Sequence, residues 1–223
     1  MPIRRFSLHC RWPRFETGPK PTQAVTHSLP PVTGCGMSWR YHEDMSATRP
    51  APHTQAPLFS LRIDSPLGRI TLAASAKGLC GLWFDEQRHG PSASTIAGWP
   101  QSPEHPVLRQ ATAQLQAYFT GQNPHWNVPL DLSGGTAFQQ AVWQALLTVP
   151  HGQSCSYGQL ATQLNNPNAV RAVGAAVGRN PVSIIVPCHR ILGAGGQLTG
   201  YAGGLWRKEA LLRLEGHPLP LKA

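Results

Sequence analysis

From Leu58 to Phe84, apolar and polar residues alternate with a period of two, interrupted by turn-forming residues. Phe59, Leu61 and Ile63 alternate with Ser60, Arg62 and Asp64, the pattern of a half-buried strand with one face in a core. Ser65-Pro66-Leu67-Gly68 makes a turn, and Ile70, Leu72 and Ala74 then resume the alternation. Gly78 to Phe84 reads as a third strand, with Cys80 as part of its core face. From Glu104 to Phe119 the period lengthens. Val107, Leu108, Ala111, Leu115 and Tyr118 recur near helical spacing, and Gly121 ends the run. These residues predict a small unit over 58–133, neutral in charge and suited to structural support.

Gly134-Gly135 reads as a hinge into a second unit, 134–223. Thr136 can cap a helix whose apolar positions Phe138, Val142, Leu146 and Val149 share one face, with Pro150 closing it. Ser156 caps another helix, and Gln159 three residues on completes a capping box. That helix runs to Leu164 and stops at Asn165-Asn166-Pro167-Asn168. A third helix, from Ala169 to Arg179, is built largely of Ala, Val and Gly, and a last one spans Leu205 to Glu215. Two short helices joined by a tight turn fit either a helix-turn-helix or a plain packing pair. The fold class expected is α+β: a small N-terminal antiparallel sheet plus helix, then a mostly helical domain containing the helix pair.

Residues 1–57 carry no sustained apolar period and are rich in Pro, Thr, Ser and His, so they read as a basic, disordered extension. Met37 and Met45 leave open that the natural start lies further in. No apolar run approaches the roughly 18 residues that span a membrane, and the N-terminal arginines precede no signal-like apolar segment. The five cysteines are irregularly spaced, giving neither a disulfide framework nor a Cys-x-x-Cys metal pair. Cys10 and Cys35 show no recognisable ligand pattern, so no metal is expected, and a reducing, cytoplasmic setting fits best.

Net charge is +9, unevenly placed: +4 over residues 1–57, zero over 58–133 and +5 over 134–223. The second unit therefore holds all the excess of the folded region. Such a surface fits either a nucleic-acid partner or a merely soluble basic protein.

That unit also holds the densest chemistry, in Asn180-Pro181-Val182-Ser183-Ile184-Ile185-Val186-Pro187-Cys188-His189-Arg190. Pro187 fixes the backbone ahead of a cysteine that two potentially cationic residues follow, and positive neighbours favour the nucleophilic thiolate. In an extended segment, adjacent side chains point to opposite faces, so a direct Cys188–His189 hydrogen bond is awkward and a water is the simplest bridge. Arg171 lies in the first turn of its helix, where the dipole disfavours a cation. Glu215 ends the last helix, again against the dipole, and should have a partner. A glycine-rich run, 193–204, can approach a flat ligand closely, with Tyr201 as its anchor.

Pro187-Cys188-His189-Arg190, preceded by Asn180-Pro181, resembles the active-site signature of the O6-alkylguanine-DNA alkyltransferases. The similarity includes Phe138 to Trp143, Ser156-Tyr157-Gly158-Gln159-Leu160-Ala161, Arg171-Ala172-Val173-Gly174, Gly200-Tyr201-Ala202-Gly203-Gly204 and Leu211 to Gly216. A fainter match covers Ser65 to Gly68 and Gly78 to Phe84.

The resemblance implies a ribonuclease-H-like domain over 58–133 and a DNA-binding, catalytic domain over 134–223. It implies DNA repair in which the alkyl group of O6-alkylguanine or O4-alkylthymine in double-stranded DNA passes irreversibly to Cys188, once per molecule. No cofactor and no membrane are implied, and the protein should act as a monomer. Glu215 would orient His189, which draws the Cys188 proton through water, while Tyr157 donates to the leaving base and Asn180 holds the intervening turn. Arg171 would fill the space of the extruded nucleotide, with Ala169, Gly174 and Arg190 also facing DNA, the helix-turn-helix approaching the minor groove. Tyr201, Ala202, Ile191 and Ser183 would line the pocket, through the Ala202 N–H and the Cys188 and Ile191 carbonyls among others.

The alternative is a non-catalytic sensor of alkylated bases, whose known examples lack the cysteine that is present here. A cysteine hydrolase would need a directly paired base and an acyl-binding oxyanion hole, and neither is found.

Overall fold

A computed structural model of the protein describes residues 59–123 and 125–218. The extension 1–57, Leu58, Cys10 and Cys35 lie outside the described residues.

The period-two region forms a three-stranded antiparallel sheet in the order β1 (Phe59–Ile63), β2 (Ile70–Ser75), β3 (Gly78–Phe84). Phe59 pairs with Ala74 and Ile63 with Ile70, while Ile70 also faces Phe84 across the second ladder. Gly68, at φ +104°, closes the first turn by donating its N–H to the Ser65 carbonyl, a conformation that needs glycine. β2, the central strand, is buried at every position.

In β1 the burial is not the expected one. Ser60 is fully buried while Phe59, Leu61 and Ile63 are only half-buried. The cause is that β1 is an edge strand crossed by a later segment. Ser60 N–H donates to Pro100 O, Ser102 N–H donates to Ser60 O, and the Ser60 hydroxyl donates to Pro100 O at 3.1 Å. The segment thus satisfies both the strand edge and the hydroxyl.

A short helix that the sequence did not reveal, α1 (Ala93–Ala97), follows the sheet, capped by the Ser92 side chain and burying no residue. α2 (Pro106–Phe119) starts two residues later than expected because Pro106 suits the first helical position, where no N–H is required. It packs on β2 and β3, with Leu108, Ala111 and Leu115 fully buried.

α3 (Ala137–Leu146) begins at the Thr136–Gln139 capping box. Val142, Leu146 and Val149 are buried, as their spacing requires, but Phe138 is exposed in the first turn. The large buried side chain of α3 is instead Trp143, whose ring leaves no room for a Cβ at Gly135 and whose indole N–H donates to Ala176 O at 2.9 Å.

β4 (Cys155–Ser156) leads into α4 (Tyr157–Gln163), capped by the Ser156–Gln159 box. Asn165, at φ +56°, then turns the chain through a 3-10 turn (Pro167–Ala169) into α5 (Val170–Gly178). α4 and α5 form the helix-turn-helix, with α5 also packed on α3. Beyond the cysteine segment come β5 (Ile191–Leu192), parallel to β4, and α6 (Leu205–Leu214). No helix among the described residues is long and apolar enough to cross a membrane.

Sheet and helices meet at Leu82 of β3. Its N–H donates to Pro181 O and its carbonyl accepts from Ser183 N–H, so the segment leading to Cys188 lies along the strand as a further partner. Leu82 is fully buried, and Leu82→Ala should therefore cost about 2–5 kcal/mol in urea unfolding. A change well below 1 kcal/mol would mean that this junction is not a packed core.

Candidate active site

The segment before Cys188 is not the extended strand its apolar run implies. Asn180 opens a tight coil in which Val186 N–H donates to Val182 O, Ile185 N–H to Ser183 O and Cys188 N–H to Val186 O. Ile184 sits at φ +69° and is fully buried. A β-branched residue in this region is strained, and such strain persists where packing over-determines it.

The Asn180 side chain holds the coil from inside. Its Oδ1 accepts from Val182 N–H at 3.0 Å, and its Nδ2 donates to Val186 O at 2.8 Å and to Cys188 Sγ at 3.0 Å. Pro187 then leads into a 3-10 turn, Cys188–Arg190, in which all three side chains are buried.

The electrostatics differ from the expectation of a thiolate held by cationic neighbours. Burial pushes the Cys188 thiol above its ordinary value, against opposing pulls from the Asn180 amide and the Lys208 ammonium. The resting thiol is protonated at neutral pH and needs a base. Burial likewise holds His189 below its ordinary value, although Glu215 pulls the other way. At neutral pH the imidazole is uncharged and able to accept a proton.

Arg190 is the largest departure from the sequence reading. Expected to face DNA, it is instead buried and donates to Glu215 through Nε at 2.8 Å and Nη2 at 2.9 Å, and to Val149 O through Nη1 at 2.6 Å. Its charge is directed inward because Glu215 needs a counter-charge there.

Glu215, the C-cap of α6, accepts from five donors. Besides Arg190 these are His189 Nε2 at 2.8 Å, the Tyr118 hydroxyl at 2.8 Å and Gly152 N–H at 3.2 Å. Burial pushes its carboxyl up, but His189 and Arg190 override this and hold it well below the usual carboxylate range. An ionised carboxylate only accepts, so Nε2 of His189 carries the proton. Nδ1 is then the basic nitrogen, buried and without a hydrogen-bond partner among the described residues. His189 makes no hydrogen bond to Cys188 among the described residues.

A further charged group was not found from sequence. Lys208 of α6 is fully buried, and its Nζ donates to Thr199 O at 2.7 Å, to Gly200 O at 3.4 Å and, closely, to Ile191 O. It thereby ties the middle of the glycine-rich run to Ile191, just ahead of it. Burial lowers its pKa to about 8, while the cysteine beside it acts in the opposite sense. The signal was present: Lys208, Leu211, Leu212 and Glu215 lie at the spacing of one buried helix face.

The remaining expected residues fall into two groups. Around the thiol, Tyr157 opens α4 with its hydroxyl donating to Gly200 O at 3.3 Å, so it anchors the glycine-rich run alongside Lys208. Tyr201 has a buried hydroxyl whose pKa burial raises well above normal, with Cys188 adding to the effect. Gly203 has no room for a Cβ beside that ring. Ser183 is buried, with its hydroxyl donating to Gln87 Oε1 at 3.1 Å. The Ile191 carbonyl, expected to face the base, is engaged by Lys208. The Ala202 carbonyl accepts from Arg88 N–H, and the Ala202 N–H donates to no described residue.

On the helix pair, Arg171 is exposed and makes no hydrogen bond or ion pair with a described residue. Ala169 is the N-cap of α5, and Gly174 is half-buried against the Tyr157 ring. No group of three or more His, Cys, Asp or Glu side chains among the described residues could hold a metal ion.

Fold and site together define a class: a helix-turn-helix protein with a buried thiol beside an imidazole–carboxylate pair. Residues 137–217 match the family model of the 6-O-methylguanine DNA methyltransferase DNA-binding domain, and residues 61–132 match that of its ribonuclease-like domain. The methylated-DNA–protein-cysteine methyltransferase of Mycobacterium leprae is 50% identical over 155 residues, covering 70% of this chain and 90% of that one. The protein of the same name from Haemophilus influenzae is 44% identical over 155 residues, covering 69% and 84%. Mycobacterium tuberculosis OGT, crystallised in complex with DNA, is similar with a TM-score of 0.64 at 49% identity, covering 70% and 92%. The chain belongs to the 6-O-methylguanine DNA methyltransferase family.

Because Lys208 favours the Cys188 thiolate, Lys208→Met should move the pH midpoint of Cys188 modification by a small thiol reagent upward, read by mass on the Cys188 peptide. An unchanged midpoint would remove Lys208 from the electrostatics of the thiol.

Proposed function

We propose that this protein repairs DNA by taking the alkyl group of O6-alkylguanine, and of O4-alkylthymine, from double-stranded DNA onto Cys188. Family membership supports the reaction class, and the observation that carries the assignment is the Asn180–Cys188 and His189–Glu215 geometry. Asn180 points its amide at Sγ at 3.0 Å, and Glu215 fixes a neutral imidazole with Nδ1 left basic. A protonated thiol in an apolar site is a poor nucleophile until such a base takes its proton.

The step balances without a cofactor or metal. His189 Nδ1 takes the Cys188 proton through a bridging water, since the two side chains share no direct hydrogen bond. Sγ attacks the alkyl carbon, the bond from that carbon to O6 breaks, and guanine leaves with the electron pair. Tyr157 donates a proton to the departing base, with the Ala202 N–H as a second donor, and proton return through the site restores the tyrosine. The products are unmodified guanine and a thioether at Cys188, so each molecule acts once.

The base must first leave the stack, at a cost of a few kcal/mol that is smaller for a mispaired lesion. Arg171, exposed on α5 and with no partner among the described residues, fills the vacated space, with Ala169 beside it at the start of that helix. The thiol has to stay reduced, which favours a cytoplasmic setting, and the protein acts as a monomer. The sensor reading is not favoured, because the chain retains both the cysteine and the groups that would activate it.

The test is intact mass after mixing the protein with a duplex carrying one O6-methylguanine. The wild type should gain one methyl group in place of a hydrogen, mapped to the peptide holding Cys188. Cys188→Ala should gain nothing yet still bind the duplex. A wild type that binds the lesion tightly without gaining mass would overturn the reading in favour of a sensor.

A further inference from the structure

One side chain of the N-terminal layer reaches into the site and has no part in the chemistry above. Tyr118, in the last turn of α2, is 1% exposed, and its hydroxyl donates to Glu215 Oε1 at 2.8 Å. The same oxygen accepts from His189 Nε2 at 2.8 Å and from Arg190 Nη2 at 2.9 Å. The Tyr118 ring packs against Phe119, Trp126 and His151, with centroids 5.5, 5.6 and 6.3 Å away. Packing alone would be served by phenylalanine, since a buried hydroxyl is costly unless it is hydrogen-bonded. Here it is bonded to a charge. Burial also raises the Tyr118 hydroxyl well above its ordinary value, so it remains a donor across the working range.

We infer that Tyr118 is a positioning residue for alkyl transfer, its hydroxyl orienting Glu215 and sharing the charge that this carboxylate presents to His189. The inference rests on the relay set out under the proposed function.

Three donors divide the charge of Oε1. Without the hydroxyl, the carboxylate pulls harder on the Nε2 proton, and His189 becomes more basic and easier to protonate. The charged and titratable groups facing His189 and Tyr118 come from every neighbouring element. Cys188 and Arg190 lie on the histidine's own turn, and Lys208 and Glu215 on α6 and its cap. Tyr201 lies in the glycine-rich run and His151 beside the Tyr118 ring. Only Tyr118 brings α2 into this set. The sheet-and-helix layer thus contributes to the chemistry of the thiol as well as to its support.

The experiment is single-turnover methyl transfer from a duplex carrying O6-methylguanine, followed from acid to neutral pH, with wild type and Tyr118→Phe compared. Wild type should lose rate on the acid side as His189 is protonated. In Tyr118→Phe that acid limb should move to higher pH by about half a unit or more, with affinity for the duplex unchanged. Site-specific 3-fluorotyrosine at 118 keeps the ring, strengthens the donor, and should move the limb to lower pH. It serves equally if Tyr118→Phe folds poorly. A limb that stays in place in both proteins overturns the inference. So does a uniform loss of rate at every pH, which would assign Tyr118 to packing alone. Failure of the wild type itself to transfer a methyl group would overturn the proposed function, an outcome read separately from these.

Discussion

A carboxylate buried beneath five donors is the constraint around which the rest of the molecule is arranged. Glu215 is removed from water at the end of α6, and a charge so placed is tolerable only if it is paired and hydrogen-bonded. Arg190 supplies the counter-charge, which draws that arginine inward and fixes the 3-10 turn containing Cys188. His189, locked by the same carboxylate, is left with one defined tautomer. Breaking such an arrangement on one side costs about 3–5 kcal/mol, because the remaining charge stays buried. The orientation of the base and the stability of the turn therefore share one cause.

The thiol side of the site is built by a second set of buried polar groups. Asn180 closes the coil that carries Cys188, and Lys208 clamps the middle of the glycine-rich run to Ile191, just ahead of it. Between them, the backbone can hold Ile184 at a positive φ that its side chain resists. Leu82 braces this coil from the sheet, and Tyr118 reaches the carboxylate from α2. The division of labour that the charge distribution implied, with support in one half and chemistry in the other, is thus too simple at these two contacts.

Much of the scaffold was legible in the sequence, because its signals are local. The Thr136 cap, the Ser156–Gln159 capping box, the period-two strands and the Asn165-Asn166-Pro167 break each depend on residues a few positions apart, and each stands where it was expected. The departures in burial and in the site arise from packing partners that no local pattern reports. Ser60 is buried because residues 99–102 cross it, and Phe138 is exposed because Trp143 takes the core position. Arg190 turns inward because Glu215, 25 residues later, requires it. The cysteine itself was visible from Pro187-Cys188-His189-Arg190, but its protonation state was not. Cationic neighbours argue for a thiolate, whereas burial, which no local motif reports, reverses the sign. Lys208 and Tyr118 were missed because each reads as an ordinary helix residue until the partner is in place.

The central claim is that His189, kept neutral by burial, is held by Glu215 with the proton on Nε2 and the lone pair on Nδ1. Nitrogen NMR of the histidine ring in the wild-type protein, with His189 assigned through His189→Gln, reads this directly. At neutral pH the account predicts an uncharged ring protonated at Nε2, with its protonation displaced below the ordinary histidine value. A ring already cationic at neutral pH, or one carrying its proton on Nδ1, would contradict it.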